Sequence, residues 1–141
     1  MKRKGSAEWH GDLKSGKGSI STESGALAAL PYGFNTRFGD VKGTNPEELI
    51  GAAHASCFTM ALSSELGKVG IDDPHIQTTA TVELKQADGA FSITASHLDV
   101  VVEAKGADKA KLEAAANTAK ANCPVSKLLK AEVTMTATYQ V

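Results

Sequence analysis

The sequence predicts an α+β fold across residues 1–141, an antiparallel β-sheet wrapped on a buried central helix. Three observations carry this. The candidate elements run in the order βββ-α-ββ-α-β. One long helix is apolar or small on nearly every face. The last strand alternates without error. A chain of 141 residues suits one domain with a real core.

The N-terminal third reads as β. Gly5 to His10 and Ser19 to Glu23 are short strand candidates, separated by the Gly/Lys/Ser-rich Gly11 to Gly18. Pro31-Tyr32-Gly33-Phe34 reads as a turn into a third extended piece, Asn35 to Phe38, with a further break from Asp40 to Gly43.

The helix that follows has the clearest start signal. Asn45 is a good N-cap, Pro46 suits the first helical position, and Glu47 and Glu48 put negative charge in the first turn. It should run from Pro46 to about Lys68 and stop at Gly67 or Gly70. Its middle, Leu49 to Leu62, lacks a broad polar stripe, which marks a buried helix with Cys57 at its centre.

A β-hairpin comes next. Ala80, Val82 and Leu84 alternate with Thr79, Thr81 and Glu83, Asp88-Gly89 turns the chain, and Phe91 to Glu103 returns. Asp108 to about Asn122 is a second helix, amphipathic through Leu112, Ala115, Ala116 and Ala119. Pro124 ends it and begins a short helical turn to Lys130. In the last strand Val133, Met135, Ala137, Tyr139 and Val141 alternate with Thr134, Thr136, Thr138 and Gln140.

The net charge of −1 gives no electrostatic case for nucleic acid or anionic membranes as partners. The basic start, Met1 to Ser6, is followed by no apolar stretch of signal-peptide type, and Ile50 to Leu62 is too short to span a bilayer, so the expected location is cytoplasmic. His10, His54, His75 and His97 show no metal-ligand spacing, and there is no phosphate loop or nucleophile elbow, so no cofactor or metal is expected.

Two cysteines remain. Cys57 and Cys123 lie 66 positions apart, so they form neither a C-x-x-C pair nor half of a zinc ribbon. In a reducing compartment a permanent staple is disfavoured, and inert buried thiols are the plain alternative to a redox pair. Cys123 precedes Pro124 and so sits at the N-cap of the short helix, where unpaired amides favour a thiolate, and Lys120 and Lys127 are close in sequence. Cys57 has no such aid, because amides in mid-helix are already paired and burial raises a thiol pKa. Its candidate cations are Arg37, set among Phe34 and Phe38, and His54, one turn back on the helix. His54 also reads as a packed or surface histidine. A Cys-His hydrolase on these two residues fits poorly, since one helical turn rarely presents both to a carbonyl and an oxyanion hole.

Several stretches identify a family. Pro31-Tyr32-Gly33-Phe34-Asn35-Thr36-Arg37-Phe38, the run from Thr44 through Asn45-Pro46-Glu47-Glu48-Leu49 to His54-Ala55-Ser56-Cys57, and Asn122-Cys123-Pro124-Val125-Ser126 resemble the osmotically inducible protein C and organic hydroperoxide resistance (OsmC/Ohr) family. The likeness covers essentially the whole chain, from Trp9-His10-Gly11-Asp12 onward, and the stretches from Pro31 to Phe38 and from Asn45 to Ala55, with Ser21 to Gly25, resemble the osmotically inducible branch specifically. The resemblance implies an OsmC/Ohr-like fold in an intertwined homodimer. It also implies a thiol peroxidase for organic hydroperoxides, less active on hydrogen peroxide, with a role in oxidative and osmotic stress. Cys57 would be the peroxidatic thiol, Cys123 the resolving one, Arg37 the cation beside the thiolate and Glu47 the acid that orients Arg37. A lipoylated protein or another dithiol would be the reductant. The alternatives are a non-catalytic stress-induced binding protein, or a redox sensor, of the same fold.

Helix geometry adds one expectation. Glu47 and Cys57 are ten positions apart on one helix, about 15 Å along its axis and roughly 80° apart in direction. An Arg37 beside Cys57 could then not easily meet its own chain's Glu47. Two such helices packed antiparallel, with Gly51, Ala52 and Ala53 at the contact, would supply Glu47 from the second subunit.

Overall fold

A computed structural model describes all 141 residues. The elements are β1 (Gly5–His10), β2 (Lys17–Thr22), β3 (Leu30–Tyr32), α1 (Phe34–Phe38), α2 (Pro46–Lys68), β4 (His75–Ala87), β5 (Ala90–Glu103), α3 (Lys109–Asn122), α4 (Pro124–Leu128) and β6 (Glu132–Gln140). The chain divides into two compact units, Met1–Leu49 and Ile50–Val141.

The first unit is an antiparallel sheet in the order β1-β2-β3, followed by α1 and the start of α2. It contains no fully buried apolar side chain; its one buried residue is Asn45. Ile20, Leu27, Tyr32, Pro46 and Leu49 instead line an open groove of about 530 Å³. The segment expected to be extended, Asn35 to Phe38, is helical. Its turn closes through Thr36, whose Oγ1 accepts from the Gly33 amide at 2.9 Å and lies 3.0 Å from the carbonyl oxygens of both Gly33 and Thr44. The start of α2 is as the sequence predicts. Asn45 Oδ1 accepts from the Glu48 amide at 2.9 Å, a cap worth about 1 kcal/mol. Asn45 Nδ2 donates to the Thr36 carbonyl at 3.3 Å, so α1 is tied to the beginning of α2 by side chains at both Thr36 and Asn45.

The second unit holds the core. β4 and β5 form the long hairpin, and Asp88 (φ 52°) and Gly89 (φ 78°) both take the left-handed conformation that a two-residue hairpin turn of matching twist requires. β6 pairs with β5 in parallel, Ala95 opposite Glu132 through Glu103 opposite Gln140. The expectation of an antiparallel sheet therefore holds for β4–β5 and fails for β6. The reason is connectivity: β5 reaches β6 through α3 and α4, and a helical crossover returns the chain in the direction it left. Phe58, Leu62 and Leu66 of α2, Leu98, Val100 and Val102 of β5, and Leu112, Ala115, Ala116 and Ala119 of α3 form one buried cluster with Cys123.

α2 buries a single stripe, Gly51, His54, Phe58, Leu62 and Leu66. Ala52, Ala53 and Ser56 are exposed, and Met60 is 77% exposed. In one chain the helix is thus not buried on every side, because its small residues demand little cover and only the i, i+3, i+4 stripe faces the core. Gly51 belongs to that stripe. A Cβ there would come within 3.0 Å of the Ala80 carbonyl oxygen, so its smallness serves the packing of α2 on β4. No helix is long and apolar enough to cross a membrane.

Candidate active site

Arg37 and Glu47 meet within one chain. Arg37 Nη2 donates to Glu47 Oε1 at 2.8 Å, and Nε lies 3.2 and 3.3 Å from Oε1 and Oε2. Helix spacing predicts this carboxylate from a second subunit; the structure supplies it from the same one. The physical reason is α1. Had residues 35–38 been extended, Arg37 would be led away. The turn held by Thr36 and Asn45 brings it back to the first turn of α2. The pair is half open, with side chains 35% and 13% exposed. Glu47 engages the guanidinium through Nε and Nη2, which leaves Nη1 outside these contacts.

The arginine is framed by rings. Trp9, Leu13, Tyr32, Phe34 and Phe38 line, with Arg37, a pocket of about 290 Å³. Trp9 stacks obliquely on Tyr32 with ring centres 5.5 Å apart, Phe34 lies 5.0 Å from Phe38, and the Arg37 guanidinium carbon is 5.2 Å from the Phe38 ring centre. The pocket thus sets apolar walls beside a hydrogen-bond donor.

In the second unit the two cysteines come together despite their separation in sequence. Both are free thiols. Cys57 on α2 is half-buried, and Cys123, the residue between α3 and α4, is fully buried. Cys123, not Cys57, is therefore the more enclosed of the two. Each thiol is among the groups that shift the other's pKa, so the two sulfurs are neighbours.

Their pKa values move in opposite directions. Burial pushes Cys57 up, and the hydrogen bond with Cys123 adds to this, while the Val125 amide opposes it. Burial pushes Cys123 up as well, but the Cys57 thiol, the Ser126 amide and hydroxyl, and the Val125 amide outweigh it and lower its pKa. No amide closes an N-cap hydrogen bond of regular geometry on the Cys123 sulfur; the amides act as the positive end of α4. The thiolate of the pair is thus favoured on Cys123 in a chain taken alone, as its position before Pro124 implies.

His54 is packed, not exposed. It is fully buried, with Nδ1 2.7 Å from Ser96 Oγ and Nε2 2.8 Å from Ser126 Oγ. Desolvation lowers its pKa from the ordinary 6.5, so the ring is neutral at neutral pH. Ser96 and Ser126 are the residues that sequence reasoning passes over. They lie 42 and 72 positions from His54, and a serine carries no local signal of a buried partner. No group of three or more His, Cys, Asp or Glu side chains is arranged to hold a metal ion.

The family model described as OsmC-like protein matches residues 39–138. The chain is 55% identical over 133 residues to peroxiredoxin OsmC of Escherichia coli strain K12, covering 94% of this chain and 93% of that protein. It is 31% identical over 117 residues to the organic hydroperoxide resistance protein OhrB of Bacillus subtilis, covering 82% and 84%. The crystal structure of that OhrB superposes with a TM-score of 0.65 at 25% identity, over 97% of this chain and 98% of the other. Two cysteines in contact, an arginine held by a glutamate, and matches of this extent lead to one conclusion: the chain belongs to the OsmC-like family.

Proposed function

We propose that the protein is a two-cysteine thiol peroxidase that reduces organic hydroperoxides to alcohols, acting as a homodimer in defence against oxidative stress. The observation that carries this is the neighbouring pair of free thiols, Cys57 and Cys123, with Cys57 only half-buried. Relatives named as a peroxiredoxin and as a hydroperoxide resistance protein support the reaction class.

In this reading the Cys57 thiolate attacks the distal peroxide oxygen, the O–O bond breaks, and the alkoxide leaves as the alcohol after taking a proton. Cys57 is left as a sulfenic acid. Cys123 thiolate then displaces hydroxide from it, giving the Cys57–Cys123 disulfide, and an external dithiol, such as a protein-bound lipoyl group, reduces the disulfide. Arg37, oriented by Glu47, supplies the charge that the cysteine pair lacks. A guanidinium beside Cys57 would transfer the preference for the thiolate to it and bind the peroxide as charge moves to the leaving oxygen. The ring-lined pocket beside Arg37 would hold an alkyl group, a reason to favour organic hydroperoxides over hydrogen peroxide.

Two features support a dimer. The first unit exposes its apolar groove and has no apolar core, and a small sheet without burial is marginal by itself. α2 leaves Ala52, Ala53 and Met60 uncovered. A second copy would cover both, and the antiparallel packing of two α2 helices would carry the whole Arg37–Glu47 pair, not Glu47 alone, to the Cys57 of the other chain. The test is steady-state turnover of cumene hydroperoxide and of hydrogen peroxide with dihydrolipoamide as reductant. Faster consumption of the organic peroxide is expected; no consumption of either would contradict the reading.

A further inference from the structure

One buried group has no part in the mechanism above. His54 lies one helical turn before Cys57, and both of its ring nitrogens are engaged by serine hydroxyls. Ser126 also stands three residues after Cys123, in the first turn of α4, and its hydroxyl and amide are among the groups that lower the Cys123 pKa. Hydrogen bonds join Ser96, His54 and Ser126, and α4 sets Ser126 beside Cys123, so the series leads from β5 through α2 and α4 toward the thiols. We infer that His54 is a positioning residue for the resolving thiol: its Nε2–H holds the Ser126 oxygen, so that the Ser126 hydroxyl donates its proton to Cys123 Sγ and selects that sulfur as the nucleophile that closes the disulfide.

The direction of the chain follows from its far end. Ser96 is fully buried, and His54 Nδ1 is the partner of its hydroxyl. If Nδ1 carried the proton, it would donate to Ser96, whose own proton would be left buried without an acceptor, at a cost of about 1–3 kcal/mol. With Nδ1 bare, Ser96 donates to it and Nε2–H donates to Ser126. The Ser126 oxygen has then accepted from His54, and its own proton is free to turn toward Cys123. No buried side-chain nitrogen or oxygen is left without a partner. Because burial keeps the ring neutral, His54 brings one N–H and no charge, so it orients the hydroxyl without acting as a base. The groups that face Cys123 Sγ are the Cys57 thiol from α2 and the Ser126 hydroxyl with the Ser126 and Val125 amides from α4.

The step served is the second half of the reaction and rests on the peroxidase reading. Cys123 thiolate attacks the Cys57 sulfenic sulfur, the S–S bond forms and the S–O bond breaks. The thiolate sulfur is oxidised, the sulfenic sulfur is reduced, and hydroxide leaves as water after taking a proton from solvent.

Two measurements test it. In a Cys57→Ser background, thiolate absorbance at 240 nm reports Cys123 without any peroxide. Ser126→Ala should raise its pKa by about one to two units, the value of a hydrogen bond to a charged group, and Ser126→Thr should restore it. With both cysteines present, one equivalent of cumene hydroperoxide is added at a pH below the Cys123 pKa. Ser126→Ala should form the sulfenic acid no more slowly than the parent but close the disulfide about three- to fifteen-fold more slowly. That factor combines the lost thiolate fraction with its partly compensating gain in nucleophilicity. The sulfenic acid should accumulate and be trapped by dimedone. His54→Phe should slow closure in the same way, and the Ser126 variants decide the matter if it fails to fold. An unshifted Cys123 titration in Ser126→Ala, or closure at the parental rate, would overturn the inference. If the unmodified protein never oxidises, the peroxidase reading fails, and the titration still decides whether His54 and Ser126 tune Cys123.

Discussion

Arg37 and Glu47, ten residues apart, face each other in one chain, with Nη2 of the arginine 2.8 Å from Oε1 of the glutamate. An ion pair at the surface adds less than about 1 kcal/mol to stability. The proposed function gives this arginine, fixed by a carboxylate in a ring-lined pocket, a second use, and the two uses separate experimentally. Arg37→Lys keeps the charge but loses the planar fork. Thermal unfolding should change little, while the rate of hydroperoxide reduction should fall about a hundred-fold or more, as when one preorganised donor is removed. A large loss of thermal stability with activity retained would make the pair structural.

His54 gives the protein an acid-sensitive window. Its pKa is lowered in the fold relative to 6.5, so the unfolded chain binds a proton more readily. Stability from the neutral ring is fully present above 6.5 and is lost as pH falls from there toward the folded pKa, by at most about 1.4 kcal/mol per pH unit. The Asp12 and Glu83 carboxylates, held down chiefly by hydrogen bonds from Ser15 and Thr94, lose their contributions only below their ordinary values of 3.8 and 4.5. Urea midpoints measured at pH 7.5 and 5.5 should therefore fall in the native protein, and fall less in His54→Gln.

Gly51 and Met60, both on α2, should respond in opposite ways. Gly51→Val places side-chain atoms against the Ala80 carbonyl and should cost about 1–3 kcal/mol of chain stability. Met60→Glu changes a side chain that one chain leaves 77% exposed and should cost a single chain under about 0.5 kcal/mol. In the proposed dimer it sets a charge on the covered face and should shift sedimentation toward the monomer. A Met60→Glu protein that sedimented as the parent does would take that face out of the interface.

Local rules made most elements readable. Asn45-Pro46-Glu47-Glu48 marks the start of α2, Asp88-Gly89 marks the hairpin turn, and the alternation from Val133 onward marks β6. Long-range contacts hid the rest. The one turn of α1 is too short to show periodicity and closes through Thr36 on Thr44. Alternation in β6 reports its faces, not whether its neighbour runs parallel. The cysteines were legible as candidates, whereas the serines that engage His54 come from β5 and α4 and carry no pattern of their own.

The central claim is that Cys57 and Cys123 form one redox unit, and the mass of the reduced protein after one equivalent of cumene hydroperoxide tests it most directly. The account predicts a loss of two hydrogens with a peptide bridge joining Cys57 to Cys123, a single added oxygen trapped on Cys57 in Cys123→Ser, and no rapid change in Cys57→Ser. An unchanged mass in the native protein, or rapid oxidation of Cys123 in the Cys57→Ser variant, would contradict it.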